Sequence, residues 1–501
     1  MDALCIVQDD LEDLQRQTAA MDSVFSGAAL TIAAAAGDDA DYGLPGLRAG
    51  SRSNPCAKIR VTDKLSLLSM TEDEPSRSCW GRRGWTFQEQ MLSRRMVFFT
   101  PTLVSWRCDL DEWNEQTILE PEELESDFVC ANYAAGPLSR RFTLTKLGRY
   151  ISDYASRALS YGSDILPAFQ GVMNRYEAVT GERLHWGLGY RIVDMGNSLM
   201  WNLLLSFALV EDERQDLRIL RLSDGTTIRM LYPSWSWMRA KDFVRPPFPL
   251  SGVGVLFGLF DPGLIRPELD FYRLMSDGHV ELLAPCQQPV PAGISDESVG
   301  RFTPPLTRLW KGPTVIDGPV LTSPDDRGLV QEVIPAQPDS PGCPIPVYDT
   351  GRLVFWTSHA KIKTWPVSHR HDEVAVDLHL QLPNRIVAGS DEWHRASYRS
   401  FFMTPATSRR LFGRSRATRN PGDDAASLML SYVVVGENHE CEHRARHSPR
   451  FRDPQTPAFL NVLIIEWVNE EKGIARRAGT AVFPEQEWIA LDRDWRLIIL
   501  E

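Results

Sequence analysis

The sequence predicts an α/β protein in three parts: an N-terminal parallel-sheet domain over residues 1–130, a mainly helical region with one hairpin over 131–245, and a β-rich region with long loops over 246–501. Three patterns predict it. Before Gly37, an apolar run, an apolar stripe at helical spacing and a second apolar run follow one another, the order of strand, helix and strand. From Lys146, apolar residues recur at the period of a helix face. Past Arg245, prolines multiply and short runs alternate apolar with polar residues, as in a strand with one buried face.

The first part opens on Ala3 to Val7, which reads as a buried strand carrying Gln8 and Asp9 at its C-terminal end. Asp9 with Glu12 fits a helix N-cap and its reciprocal partner. Leu11, Leu14, Thr18, Met21, Phe25 and Ala28 fall on one face of the helix that follows, and Leu30 to Ala36 forms a strand stopped by Gly37. Such a unit makes a right-handed parallel crossover. Ligands of such sheets bind beyond the C-terminal strand ends. That rim holds Gln8, Asp9 and the Gly-, Asp- and Ser-rich loop 38–54. A strand near 58–61 and an acidic link lead to the stretch from Ser78 to Thr100. There a turn with Gly81 and Gly84 enters a helix at about Trp85, ending near Arg94 and Arg95, where cations suit the negative end of a helix dipole. Met96 to Phe99 and Leu103 to Cys108 are strands, and 109–127 is a solvated acidic connection.

In the middle part, Tyr150, Ile151, Tyr154, Ala158 and Leu159 share one helical face, as do Ile165, Phe169, Val172, Met173 and Tyr176. Residues 199–210 read as a buried helix. Residues 217–231 hold Ser-Asp-Gly-Thr between two alternating runs, a hairpin signal. Trp235 and Trp237 read as core aromatics. Further on, strands are expected at 373–382, 432–435, 460–467, 474–483 and 496–500, with long loops between Pro285 and Pro346.

The net charge of -12 argues against a general nucleic-acid binder. The apolar runs 28–36 and 199–210 are shorter than the ~20 residues that span a bilayer. The eight cysteines form no CxxC pair, so they are expected to be reduced thiols of a cytoplasmic protein. His439, Cys441, His443 and His447 lie in a charged stretch whose spacing fits no standard zinc pattern, and no metal is expected.

The first histidine is His185, so the N-terminal part cannot build a Ser-His-Asp or Cys-His machine from its own residues. It also lacks the GxxxxGK[ST] and GxGxxG phosphate loops. Carboxylates, hydroxyls and arginines remain. They suit cleavage of an N-glycosidic bond, in which a carboxylate stabilises an oxocarbenium-like sugar. Trp85, Glu89 and Leu92 share one helical face, which places an acid among large apolar groups with Arg82, Arg83, Arg94 and Arg95 near it in sequence. Glu89 is therefore the catalytic candidate; Trp85, Arg83, Gln88, Gln8 and Asp9 are the substrate-binding candidates. A second reading stays open, in which Glu89 pairs with Arg82 or Arg83 and only fixes the turn.

Residues 2–9, followed by the helix ending in Met21-Asp-Ser-Val-Phe-Ser-Gly-Ala28, resemble the second block of the fungal heterokaryon-incompatibility (HET) domain. Arg83-Gly-Trp-Thr-Phe-Gln-Glu-Gln-Met-Leu-Ser-Arg-Arg95 resembles its third block. Tyr154-Ala-Ser-Arg157, Asp164-Ile-Leu and Pro233-Ser-Trp-Ser-Trp237 are similar to sequences that follow the domain. The resemblance implies a protein of fungal nonself recognition and programmed cell death. It also implies a flavodoxin/TIR-like sheet, incomplete because the family's first block is missing, and so an exposed strand edge. Trp85-Thr-Phe-Gln-Glu89 resembles the Trp-x-x-x-Glu pattern of TIR domains that hydrolyse NAD. On this reading NAD is a substrate and no cofactor is required, the partners are proteins including a second copy, and neither nucleic acid nor a membrane span is involved. Two alternatives stand beside it: a non-enzymatic association module, and an inactive fragment.

Overall fold

The computed structural model of the chain describes residues 5–7, 13, 16–18, 20–48, 51–52, 58–63, 65–68, 75–108, 112–115, 150–151, 153–180, 183–190, 217–221, 227–239, 269, 271–275, 278–284, 316, 333–334, 349–366, 376–383, 385–388, 401–403, 405–412, 427–437 and 459–501. They fall into two compact units, 1–181 with 338–344, and 182–337 with 345–501. The architecture is mixed α/β, with few helices and a β-rich C-terminal region.

In the first unit, α1 (Met21–Gly27) leads to β1 (Thr31–Ala34), and a separate hairpin pairs β2 (Lys58–Arg60) with β3 (Ser66–Leu68). Then come α2 (Cys79–Arg82), α3 (Thr86–Leu92), β4 (Arg95–Phe99), β5 (Val104–Cys108) and β6 (Glu112–Asn114). The sheet runs β1-β4-β5-β6. Its one parallel pair is β1 with β4, in the register Thr31↔Met96 to Ala34↔Phe99, and the crossover between them carries α2 and α3. The rest is antiparallel, β4 to β5 to β6. Connections as short as 100–103 and 109–111 permit only hairpins, since a parallel return needs a crossover of about a dozen residues. Residues 112–114, expected in a solvated connection, form the last strand of this meander.

The expected strand at 3–7 is not formed across its described residues. Cys5 is helical, Cys5 and Val7 are exposed, and the Val7 amide donates to the Asp13 carboxylate at 3.2 Å instead of to a neighbouring strand. Among the described residues the parallel partner of β1 is β4, and β1 stands at the sheet edge with Ile32 57% exposed. Gln8, Asp9, Leu11 and Leu14 lie outside the described residues. Gly37 ends the β1 region at φ 73°, and a Cβ there would meet the Tyr42 ring at 2.2 Å. Asp39 then accepts from the amides of Asp41 and Tyr42.

A fourth helix belongs to this unit, α4 (Pro167–Thr180). It seals the aromatic cluster Phe87, Tyr154 and Phe169, with ring centroids 4.8 to 5.8 Å apart. Gly171 allows the close approach of α3: a Cβ there would meet Gln88 Oε1 at 2.4 Å and Leu92 Cδ1 at 3.0 Å.

The second unit opens with the hairpin β7 (Arg183–His185) and β8 (Leu188–Tyr190), turned by Trp186 at φ 50° and Gly187 at φ 75°. Two positive φ values match the right-handed twist of the flanking strands. The hairpin expected around Ser-Asp-Gly-Thr pairs β9 (Leu217–Arg221) with β10 (Thr227–Leu231), and β13 (Val333–Ile334) joins it. Trp235 and Trp237 are fully buried, donating to the carbonyls of Gly351 and Gly187.

The remaining strands are β11 (Phe271–Met275), β12 (Val280–Ala284), β14 (Asp349–Pro366), β15 (Val376–Leu382), β16 (Arg385–Ala388), β17 (Phe401–Met403), β18 (Leu428–Glu437), β19 (Phe459–Asn469), β20 (Ile474–Pro484) and β21 (Arg493–Leu500). Strands β14, β18, β19, β20, β17 and β15 pair antiparallel in turn, and β15 pairs back to β14, so the ring closes as a barrel. β21 bridges β14 and β20. Closure removes free strand edges. The longest strand, β14, was not expected from the sequence. Thr357, Ser358 and His359 are buried in it, so polar residues interrupt the apolar period in a strand paired along both edges. His379 on β15 is half-buried, with Trp365 and Ala388 as its register neighbours. The expected helix at 199–210 and the charged stretch 439–447 lie outside the described residues.

Candidate functional site

The stretch from Ser78 to Phe99 folds as two short helices joined by a tight turn. Ser78 caps α2 by accepting the Gly81 amide at 3.0 Å. Gly81 is required there, because a Cβ would meet the Pro75 carbonyl at 2.2 Å. Thr86 Oγ donates to the carbonyls of Trp80 and Arg83, which closes the turn onto the first residue of α3. The helix then runs only to Leu92, so Arg94 and Arg95 lie beyond its last turn and outside the reach of the dipole argument.

Six of the seven residues of α3, namely Thr86, Phe87, Gln88, Gln90, Met91 and Leu92, are buried. Glu89 is the one that is not. Its Oε2 accepts from Trp80 Nε1 at 3.2 Å. Trp80 in turn packs edge-on against Phe98 of β4, with centroids 5.7 Å apart. The neighbouring Cys79 Sγ lies 3.8 Å from the Asp38 carbonyl, which ties this corner to the loop after β1. The carboxylate is thus held by an indole that packs on β4, next to a residue that touches the loop expected on the functional rim.

The indole that meets Glu89 is Trp80. Trp85 shares the helical face in sequence, but its Nε1 donates to Asp164 at 3.2 Å. The Trp80 contact was hidden because it crosses a turn over nine positions; the signal was Ser78 with Gly81, a cap and a close approach that fold the chain back. Gln88 lies in the core, 1% exposed, with Nε2 on the Pro167 carbonyl and Oε1 on the Gly171 amide. Arg83 is exposed, and its backbone bridges to Ala158.

Residues 153–158 complete the site from outside the 78–99 stretch. The Arg157 guanidinium, 4% exposed as a residue, donates to Gln90 Oε1, to Asp153 Oδ2 at 3.3 Å and to Thr86 Oγ1 at 3.4 Å, and lies 4.7 Å above the Phe87 ring. Burial pulls its pKa below the ordinary arginine value; the carboxylates of Asp153 and, more weakly, Glu89 oppose this. Among the described residues, no group of three or more His, Cys, Asp or Glu is placed to hold a metal ion. No helix among them is long and apolar enough to cross a membrane.

Residues 1–89 match the family model for Heterokaryon incompatibility protein (HET). No curated protein and no solved structure matches the chain. The HET match ends on Glu89 itself, while the unit that carries Glu89 continues through α4 to residue 181. The part of the fold that braces α3 from residues 153–180 is therefore outside the matched segment.

Proposed function

We propose that this chain is a heterokaryon-incompatibility protein of fungal nonself recognition. On this reading its first unit, TIR-like in layout and cytoplasmic, hydrolyses NAD and so triggers cell death. The observation that carries the reading is Glu89, the one residue of an otherwise buried helix to reach the surface, with its carboxylate oriented by an indole N–H. The C1′–N bond of the nicotinamide riboside breaks, and its electron pair leaves with neutral nicotinamide. The Glu89 carboxylate stabilises the oxocarbenium-like sugar, and water adds to C1′ and releases a proton, giving ADP-ribose. Arg83, Gln8 and Asp9 would serve the pyrophosphate and ribose, and Trp85 a ring face. Purified protein incubated with NAD should release nicotinamide, and Glu89→Ala should reduce the rate by about 100-fold or more. Full activity in Glu89→Ala removes the reading.

One observation favours a second reading, a non-enzymatic module that acts through protein contacts, including a second copy. β1 is an edge strand with Ile32 exposed, and residues 28–37 carry no charge and no proline to block strand addition. On that reading toxicity on overexpression survives Glu89→Ala and is lost in Ile32→Lys.

A further inference from the structure

We infer that Arg157 is a positioning residue for Glu89: it fixes α3 at three positions around the acid. The inference rests on the reading of Glu89 as the functional acid. Its support is geometric. The guanidinium bonds to the side chains of Thr86 and Gln90 and covers the ring of Phe87, so it holds the helix one turn below, two residues below and one residue above Glu89. The next residue, Ala158, accepts from the Gly84 amide at 2.7 Å and donates to the Arg82 carbonyl at 2.6 Å, which fixes the turn that leads into α3.

The economy of the guanidinium points the same way. An Arg buried to this degree is costly unless its charge is matched and its N–H groups are bonded. Among the described residues its one ion-pair carboxylate is Asp153, whose side chain is 23% exposed, and its Nε meets no acceptor there. A retained charge is accounted for by the second acid in its field, Glu89. Arg157 lies beyond the segment that matches the HET model, so it is assigned from this fold alone.

The test uses the full chain and follows nicotinamide release from NAD between about pH 4.5 and 8, the span in which a carboxylate limb is visible. In Arg157→Gln the acid limb should move to higher pH by about half a unit or more, because the cation that favours the charged carboxylate is gone. Arg157→Lys should restore the limb. Asp153→Asn, which keeps an oxygen that can accept from Arg157, should move it the opposite way, because the anion that shares the Arg157 charge is removed. A purely structural brace shifts rates in all variants and leaves the limb in place; coincident limbs overturn the inference. If the unsubstituted chain releases no nicotinamide at any pH, the enzymatic reading falls and the inference is judged by hydrogen exchange of the 86–92 amides. Losses of protection in Glu89→Gln and Arg157→Gln should then fail to multiply in the double variant by about threefold or more; independent losses overturn it.

Discussion

The two units solve the same problem, how to hold polar groups away from water, in opposite ways. The barrel closes on itself, and its strand edges are spent in pairing. Among the described residues the first unit leaves β1 at a sheet edge and packs α3 against α1, α2 and α4. Among the described residues, eleven of the fifteen exposed large hydrophobics, Ile32 and Leu47 among them, lie in the first unit, so the smaller unit leaves more apolar surface uncovered. A closed barrel can lose a surface contact and keep its pairing. A helix braced at a handful of points cannot. The difference teaches that an acid placed on such a helix is only as well aimed as its braces.

The largest expected effect is on that helix. Phe87 is fully buried and touches Tyr154, Phe169 and the Arg157 guanidinium, so Phe87→Ala should cost about 3–5 kcal/mol, the range for deleting a buried ring. Hydrogen exchange should show the loss over α3 and α4 and little change in β18 to β20. Equal loss in both units would break the contrast.

A comparable effect is expected where the barrel does bury charge. Arg352, 2% exposed at its side chain, pairs with Glu501 at 2.8 Å, and Arg476 reaches the other carboxylate oxygen at 2.9 Å. Glu501→Gln leaves Arg352 without its counter-charge and should cost about 3 kcal/mol, measured by denaturant midpoint. The Ser234 amide, which bonds to the Glu501 backbone carbonyl at 3.1 Å, should lose protection with it. A cost near zero would mean that the barrel is insensitive to its chain end.

Smaller again is Gly171→Ala. The new methyl would press on Gln88 Oε1 and Leu92, and overpacking of this kind costs about 1–3 kcal/mol. Because Gln88 Oε1 would have to leave the Gly171 amide, exchange of that amide should quicken more than its neighbours. An unchanged amide would show that α4 can slide away from α3, and that the contact is looser than the braces around Glu89.

Much of this was legible in the sequence where one face of an element decides its period. Strands β18, β19, β20 and β21 and the hairpin of β9 and β10 fall where alternation and turn residues put them. The region around Glu89 was legible as a stretch, and the acid was singled out by spacing. Its partners were not. Trp80 reaches it across a folded-back turn, and Arg157 and Asp164 come from beyond residue 150, contacts that no local period encodes. β1 illustrates the same limit: its strand is local and readable, but its parallel partner is β4, whose place beside it is set by the crossover through α2 and α3. β14 was missed for a different reason, because Thr357, Ser358 and His359 sit inside the barrel wall and break the pattern that normally marks a buried strand.

That last residue gives the smallest and most discriminating prediction. His359 Nδ1 meets Asp494 Oδ1 at 2.6 Å, while its Nε2 is buried with no hydrogen-bond partner among the described residues and its ring lies edge-on to Trp467. Burial lowers its pKa from the ordinary 6.5; the Asp494 carboxylate opposes this, and Arg496 and Lys361 add to the lowering. With the folded pKa below the unfolded one, the unfolded chain binds the proton first. The contribution of His359 to stability is therefore complete above about pH 6.5 and is lost as the pH falls toward the folded value, by at most about 1.4 kcal/mol per pH unit crossed. Asp494, whose own pKa is held below 3.8, titrates at lower pH and leaves this window clean. The denaturant midpoint of the barrel should fall between pH 7.5 and 5.5, and the fall should shrink in His359→Asn. If the midpoint instead rises on acidification, the Asp494 pairing outweighs burial, and the barrel, like the first unit, stabilises a charge in its wall.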